Sequence, residues 1–193
     1  SLHLYGVLAL QRGQIERGIE LLRQALKLEP RQPLAHRDLG NAFQQLRRFE
    51  EALASYDKAL ALKSDLADAH NNRGIALAGL HRLDEALTSY GRAIALKPDY
   101  AQAYNNRGTV LADQKRAAEA LADFNQAIAL DPFYAKALNN RAGVLAELGR
   151  HEEALQDHDR AIACHPEFAD SHDKRGGVLI VLGRAREALE SYD

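Results

Sequence analysis

Residues 67–100, ADAHNNRGIALAGLHRLDEALTSYGRAIALKPDY, are followed without a gap by residues 101–134, AQAYNNRGTVLADQKRAAEALADFNQAIALDPFY, and the two 34-residue stretches agree at 18 positions. They share Asn-Asn-Arg-Gly near the start, Glu-Ala-Leu in the middle and Ala-Ile-Ala-Leu-x-Pro near the end. A fixed period of this size marks a row of supersecondary units, each of which can bury its apolar face only against its neighbours.

With Gly74 placed at repeat position 8, the same slot holds Gly6, Gly40, Gly108, Ala142 and Gly176. Position 20 holds Gly18, Ala52, Ala86, Ala120, Ala154 and Ala188, and position 27 holds Ala25, Ala59, Ala93, Ala127 and Ala161. A bulky slot at position 24 carries Leu22, Tyr56, Tyr90, Phe124, His158 and Tyr192, and position 32 carries Pro30, Ser64, Pro98, Pro132 and Pro166. This rhythm of small, small, bulky, small and Pro resembles the tetratricopeptide repeat family, and the resemblance covers the whole chain. It implies an all-α fold, a right-handed superhelical solenoid of antiparallel helix pairs. The repeats are expected at about 1–32, 33–66, 67–100, 101–134, 135–168 and a partial 169–193 in one array, with the chain a piece of something longer.

Each unit parses into two amphipathic helices. In the third, Ala67 to Leu80 shows helical spacing, a polar turn follows at His81 and Arg82, and Leu83 to Leu96 repeats the pattern before Lys97 and Pro98 end it. Acidic residues open the second helices, where they suit the positive end of a helix dipole. Gly inside a helix costs about 1 kcal/mol relative to Ala, so the glycines at position 8 require a compensating close approach by the paired helix. The fifth unit departs from the pattern, with Ala142 at position 8, Gly143 one residue later and His158 at the bulky slot.

Composition excludes several functional classes. The formal charge of −2 lacks the basic excess of a nucleic-acid binder. No run approaches the roughly 18 apolar residues of a membrane span. The one cysteine, Cys164, rules out an intramolecular disulfide and stands where other units place Leu28, Leu62, Leu96 and Leu130, so it is expected to pack as a small hydrophobe. No phosphate loop, metal-spaced Cys or His pair, or nucleophile beside a base is found, so neither an enzymatic activity nor a cofactor is expected. His36, His70 and His172 share position 4 and are expected to pack, since residues a repeat apart cannot share a metal ion. Arg outnumbers Lys, 18 to 7, which suggests a GC-rich bacterial source, and a cytoplasmic location is expected.

Repetition turns one residue into a row. Position 6 holds Asp38, Asn72, Asn106, Asn140 and Lys174, and position 5 holds Arg37, Asn71, Asn105 and Asn139. In the family that the chain resembles, first helices line a concave groove, and Asn at position 6 often holds the backbone of an extended peptide. An amide suits that role because it both donates and accepts hydrogen bonds. The alternative is that some of these amides join neighbouring repeats. Some relatives clamp a C-terminal carboxylate with Lys, Asn, Asn, Lys and Arg. The matching window here, Arg37, Asn41, Asn72, Gln102 and Asn106, has neutral amides in place of the last two cations, so Arg37 and Asn41 stand as peptide contacts without a full clamp.

Two further rows involve arginine. Arg73, Arg107, Arg141 and Arg175 at position 7 are read chiefly as structural ion pairs, and Arg48, Arg82, Arg116, Arg150 and Arg184 lie at the turn after each first helix. The sequence thus implies a noncatalytic scaffold for a protein or peptide ligand, with no nucleic acid or membrane partner. Two alternatives stand beside it: the recognition arm of a larger enzyme such as an O-GlcNAc-transferase-like glycosyltransferase, and a scaffold that self-associates through uncapped repeat ends.

Overall fold

A computed structural model describes residues 1–167 and 169–192, the side chain of Tyr192 excepted, so the expected bulky role of Tyr192 lies outside the described residues. Twelve helices and no strand occur among the described residues. They are α1 (Leu2–Gln11), α2 (Ile15–Leu28), α3 (Pro33–Gln45), α4 (Phe49–Leu62), α5 (Ala67–Gly79), α6 (Leu83–Leu96), α7 (Ala101–Asp113), α8 (Ala117–Leu130), α9 (Ala135–Glu147), α10 (His151–Cys164), α11 (Ala169–Val181) and α12 (Ala185–Tyr192). They cluster into two compact units, Ser1–Pro98 with α1 to α6 and Asp99–Asp193 with α7 to α12.

In the first unit α1 pairs with α2, α3 with α4 and α5 with α6, and the first helices α1, α3 and α5 also touch in succession. The second unit repeats the scheme, with α7, α9 and α11 as the successive first helices. Each pair runs antiparallel: a Cβ on Gly6 would meet Leu22, and one on Gly18 would meet Leu10, so advancing along α1 means receding along α2.

The position-8 slots show why Gly is required. A Cβ on Gly40 or Gly74 would sit 2.6 Å from the ring of Tyr56 or Tyr90, and one on Gly108 would sit 2.8 Å from Phe124. The facing alanines of the second helices, Ala52, Ala86, Ala120 and Ala154, have no exposed surface. In the fifth pair the trade is reversed, with the extra methyl of Ala142 accompanied by the smaller ring of His158, and both are buried. Cys164 is partly buried beside a cluster of Ala127, Ile128, Ala137, Leu138 and Ala161, in keeping with its expected packing role. Apolar side chains stay exposed on α1 (Leu4, Tyr5 and Leu8) and on α11 and α12 (Ile180, Val181 and Leu189).

Each first helix ends in a Schellman motif. After α3, Arg48 N–H donates to the Phe43 carbonyl and Arg47 N–H to that of Gln44, both at 2.9 Å, and the same pair of bonds closes the other first helices. The motif needs one residue in the left-handed region. Gly13, Gly149 and Gly183 supply it with φ of 73 to 75°, whereas Arg47, His81 and Lys115 adopt φ of 56 to 59°. Left-handed backbone costs a residue with a Cβ about 1–2 kcal/mol, partly offset by the greater entropy that Gly loses on folding. His81→Gly is therefore expected to raise stability by about 1 kcal/mol, measured as a higher thermal midpoint. A lower midpoint would show that His81 makes an interaction worth more than this strain.

Candidate functional site

The amide rows lie on the first helices, and the structure separates positions 5 and 6. Asn71 and Asn105 have no exposed surface and Asn139 has 1%, whereas Asn72, Asn106 and Asn140 are partly exposed. The reason is helical geometry: position 5 faces the adjoining first helix, and the next residue, about 100° further round, reaches the rim.

In the first unit, Asn72 Nδ2 donates to Asn41 Oδ1 at 2.9 Å, and Asn71 Nδ2 donates to Asn72 Oδ1 at 3.0 Å. The Tyr56 hydroxyl donates to Asn41 Oδ1 at 2.8 Å and to Gln44 Oε1 at 3.1 Å. Burial pushes the Tyr56 pKa far above that of an ordinary phenol, so the hydroxyl stays a donor. Arg37 donates from Nε and Nη2 to Asp38 Oδ1 at 3.0 and 2.8 Å, while His3 Nε2 lies 2.8 Å from Asp38 Oδ2. Asp38 therefore neutralises the Arg37 guanidinium that a carboxylate ligand would need.

In the second unit, Asn140 Nδ2 donates to Asn105 Oδ1 at 3.0 Å and to Thr109 Oγ1 at 3.3 Å, and Asn105 Nδ2 donates to Asn106 Oδ1 at 3.3 Å. Asn139 reaches the following helix, donating to Asp170 Oδ2 at 2.5 Å and accepting from Ser171 Oγ at 3.1 Å. Burial opposes the charge on Asp170, but hydrogen bonds from Lys174 and Asn139 outweigh it and hold the carboxyl below its usual range. The amides thus join neighbouring helices in both units, and the position-6 members keep a solvent-facing edge.

The position-7 arginines are structural ion pairs. Arg107 and Arg141 each grip the aspartate at position 23 of their own repeat through two nitrogens, Asp123 at 2.7 Å and Asp157 at 2.6 Å. Arg73 and Arg175 instead pair with the aspartate at position 25 of the preceding repeat, Asp57 at 2.7 Å and Asp159 at 2.6 Å, and each also donates to a serine at its own position 23. Each arginine has one aspartate at either of two places. Repeat 2 lacks the arginine and both carboxylates, with Leu39 at position 7, Ser55 at its own position 23 and Arg23 at the preceding position 25.

The second arginine row sits at the N-caps of the second helices, where a cation opposes the helix dipole. Glutamates three residues on supply the opposite charge, with both Arg82–Glu85 bonds at 2.7 Å. Hydrogen bonding to those arginines lowers the pKa of Glu51, Glu85, Glu119, Glu153 and Glu187. This row forms a neutralised edge rather than a free basic surface. His36, His70 and His172 direct Nε2 to the carbonyls of Pro30, Ser64 and Pro166 at 2.9, 3.0 and 2.8 Å, consistent with packing roles. No cluster of three metal-ligating side chains occurs among the described residues, and none of their helices is long and apolar enough to cross a membrane.

Two features escaped the sequence reading. The left-handed slot was marked by glycine in three repeats. The exchange of Asp between positions 23 and 25 was visible only as uncorrelated variation until Arg at position 7 was seen to lie between them.

The comparisons with known proteins agree with this geometry. No curated protein matches the chain by sequence. Among solved structures, PilF of Pseudomonas aeruginosa superposes with a TM-score of 0.86 at 27% identity, over 99% of this chain and 86% of that one. PilW, a type IV pilus biogenesis factor, gives 0.89 at 24% identity over 98% and 88%. YrrB, described as a TPR protein with an unusual peptide-binding site, gives 0.71 at 26% identity over 88% of each chain. A tetratricopeptide repeat family model matches residues 6–67, 71–135 and 119–172. With that match and the helix pairs closed by Gly, Ala and a bulky ring at fixed positions, the chain belongs to the tetratricopeptide repeat family.

Proposed function

We propose that this chain is a noncatalytic protein-interaction scaffold that holds an extended peptide or a partner helix against the first-helix face of its repeats, with Asn72, Asn106 and Asn140 as backbone-contacting residues. The observation that carries this reading is the state of Asn140. Its two N–H groups are engaged by Asn105 and Thr109, which fixes the amide plane, while its partly exposed Oδ1 accepts no hydrogen bond from a described residue. A carbonyl oriented in this way can receive a peptide N–H without losing rotamer freedom on binding. Asn72 donates to Asn41, accepts from Asn71 and also hydrogen-bonds the Tyr56 hydroxyl, so its amide is held in place at the partly exposed rim. Asn71, Asn105 and Asn139 support the row from beneath. The likeness to YrrB, a protein with a peptide-binding site, supports a ligand of this class.

The test is a peptide-array screen followed by titration of the best sequence. Asn72→Ala with Asn106→Ala and Asn140→Ala is expected to weaken binding at least tenfold while the circular dichroism spectrum stays helical. Undiminished affinity in the triple variant would remove these amides from recognition.

A further inference from the structure

A cleft of about 440 Å³ opens in the first unit, between the second helices α2 and α4. Its floor is α3, which contributes Leu39 and Phe43, and Leu26 of α2 adds a third apolar wall. The matching interval between α8 and α10 measures about 280 Å³ and is crossed by Arg141 on its way to Asp157. The difference follows from the sequence of repeat 2. Leu39 replaces the arginine, Ser55 replaces the aspartate and turns its hydroxyl back to the Glu51 carbonyl at 2.8 Å, so the buried arginine–aspartate bridge of repeats 4 and 5 is missing and the helices are spanned only at the rim, by Arg23 and Glu51 at 3.5 Å. A cleft of this size lies within the roughly 300–1,000 Å³ range of ligand sites.

The rim is cationic. Arg23 and Arg48 both lie over the Phe43 ring, 5.3 and 4.8 Å from its centroid, and share the Glu51 charge, so the floor of Leu39 and Phe43, 7% and 3% exposed, is reached between their guanidinium groups. Lys27 and Lys58, on opposite walls, are exposed and form no ion pair with a described residue. An apolar floor between two uncompensated ammonium groups is complementary to an apolar side chain flanked by carboxylates.

We propose that the α2–α4 cleft is a second docking site, for an acidic amphipathic helix of a partner protein. The helix seats an apolar side chain over Leu39 and Phe43 and sets carboxylates against Lys27 and Lys58, the helix-in-groove mode of recognition. The site is independent of the amide rows, because it lies between second helices.

The experiment uses the full chain and a labelled helical peptide with Leu and Phe at i and i+4 and Glu on the flanking positions, read by fluorescence anisotropy. A matched peptide with Lys in place of each Glu is the control. The acidic peptide is expected to bind with a micromolar Kd that weakens with salt, and the lysine peptide is not. Lys27→Glu with Lys58→Glu, both on the surface, is expected to weaken binding at least tenfold. Leu39→Arg with Ser55→Asp, which installs the arrangement of Arg107 and Asp123, is expected to abolish it. Asn72→Ala with Asn106→Ala should leave it unchanged, which separates this site from the first-helix face. Equal binding of the two peptides, no binding of the acidic one, or full binding by the lysine-reversed variant would overturn the proposal.

Discussion

Arg141→Leu is expected to destabilise the second unit by about 3 kcal/mol, the low end of the range for removing one partner from a buried ion pair. The Asp157 side chain is 4% exposed and would be left without its bidentate guanidinium, while Arg141, at 20%, has enough contact with water to moderate the loss. Arg160, 3.6 Å from the same carboxylate, is too distant to replace two bonds of 2.6 Å. The informative variant is the double one. Arg141→Leu with Asp157→Ser reproduces the Leu39 and Ser55 combination of repeat 2 and removes the charge together with its partner. It is expected to recover all but about 1 kcal/mol, since replacing a whole buried pair by packed groups is often close to neutral. Chemical denaturation followed through hydrogen exchange of α9 and α10 amides would resolve the local change. Equal losses in the single and double variants would show that the arginine stem, rather than the charge pair, holds the helices together.

A second large effect is expected from His158 on acidification. Burial, reinforced by the Lys174 ammonium and opposed by Asp157, Asp170 and Asp159, pushes its pKa down from 6.5 to about 4. The ring is 1% exposed and its Nδ1 has no hydrogen-bond partner. The folded pKa lies below the unfolded one, so as pH falls the unfolded chain takes up the proton first. The stability associated with neutral His158 is complete above about pH 6.5 and declines by about 1.4 kcal/mol per pH unit down to about pH 4, near 3 kcal/mol in all. Ala142→Gly with His158→Phe imports the Gly108 and Phe124 pair and is expected to remove this slope at unchanged neutral-pH stability. His158→Phe alone would overpack against the Ala142 methyl at a cost of about 1–3 kcal/mol. A melting temperature that is flat from pH 7 to 4 in the native chain would contradict the buried neutral imidazole.

Much of the fold is readable in the repeat register because each slot is sampled several times. Gly74 with Tyr90 is uninformative as a single instance, but the same pairing at Gly40 with Tyr56 and Gly108 with Phe124 identifies a helix–helix contact. Helix limits were equally accessible: the expected end at Leu80 falls at the C-cap of α5, and α6 spans Leu83–Leu96. The candidate site was less legible. Asn71 and Asn72 are adjacent, alike and equally repeated, so no pattern along the chain distinguishes the buried amide from the rim amide. The arginines of the turns posed a related difficulty, since a residue between two helices belongs to the end of one and the start of the next, and hydrogen bonding assigned them to the N-caps.

By itself the sequence determined that the chain is a tandem array of helix pairs, because a 34-residue period with small and bulky residues at fixed slots can bury its apolar faces only by pairing and stacking. It also determined that the position-7 arginines would need anionic partners. Only the tertiary structure decided which carboxylate each one meets, which asparagines keep an accessible edge, and where repeat 2 opens an apolar cleft. Those outcomes depend on side chains brought together from neighbouring repeats, and a distance of 2 to 3 Å between residues 16 to 35 positions apart is set by helix packing rather than by local spacing.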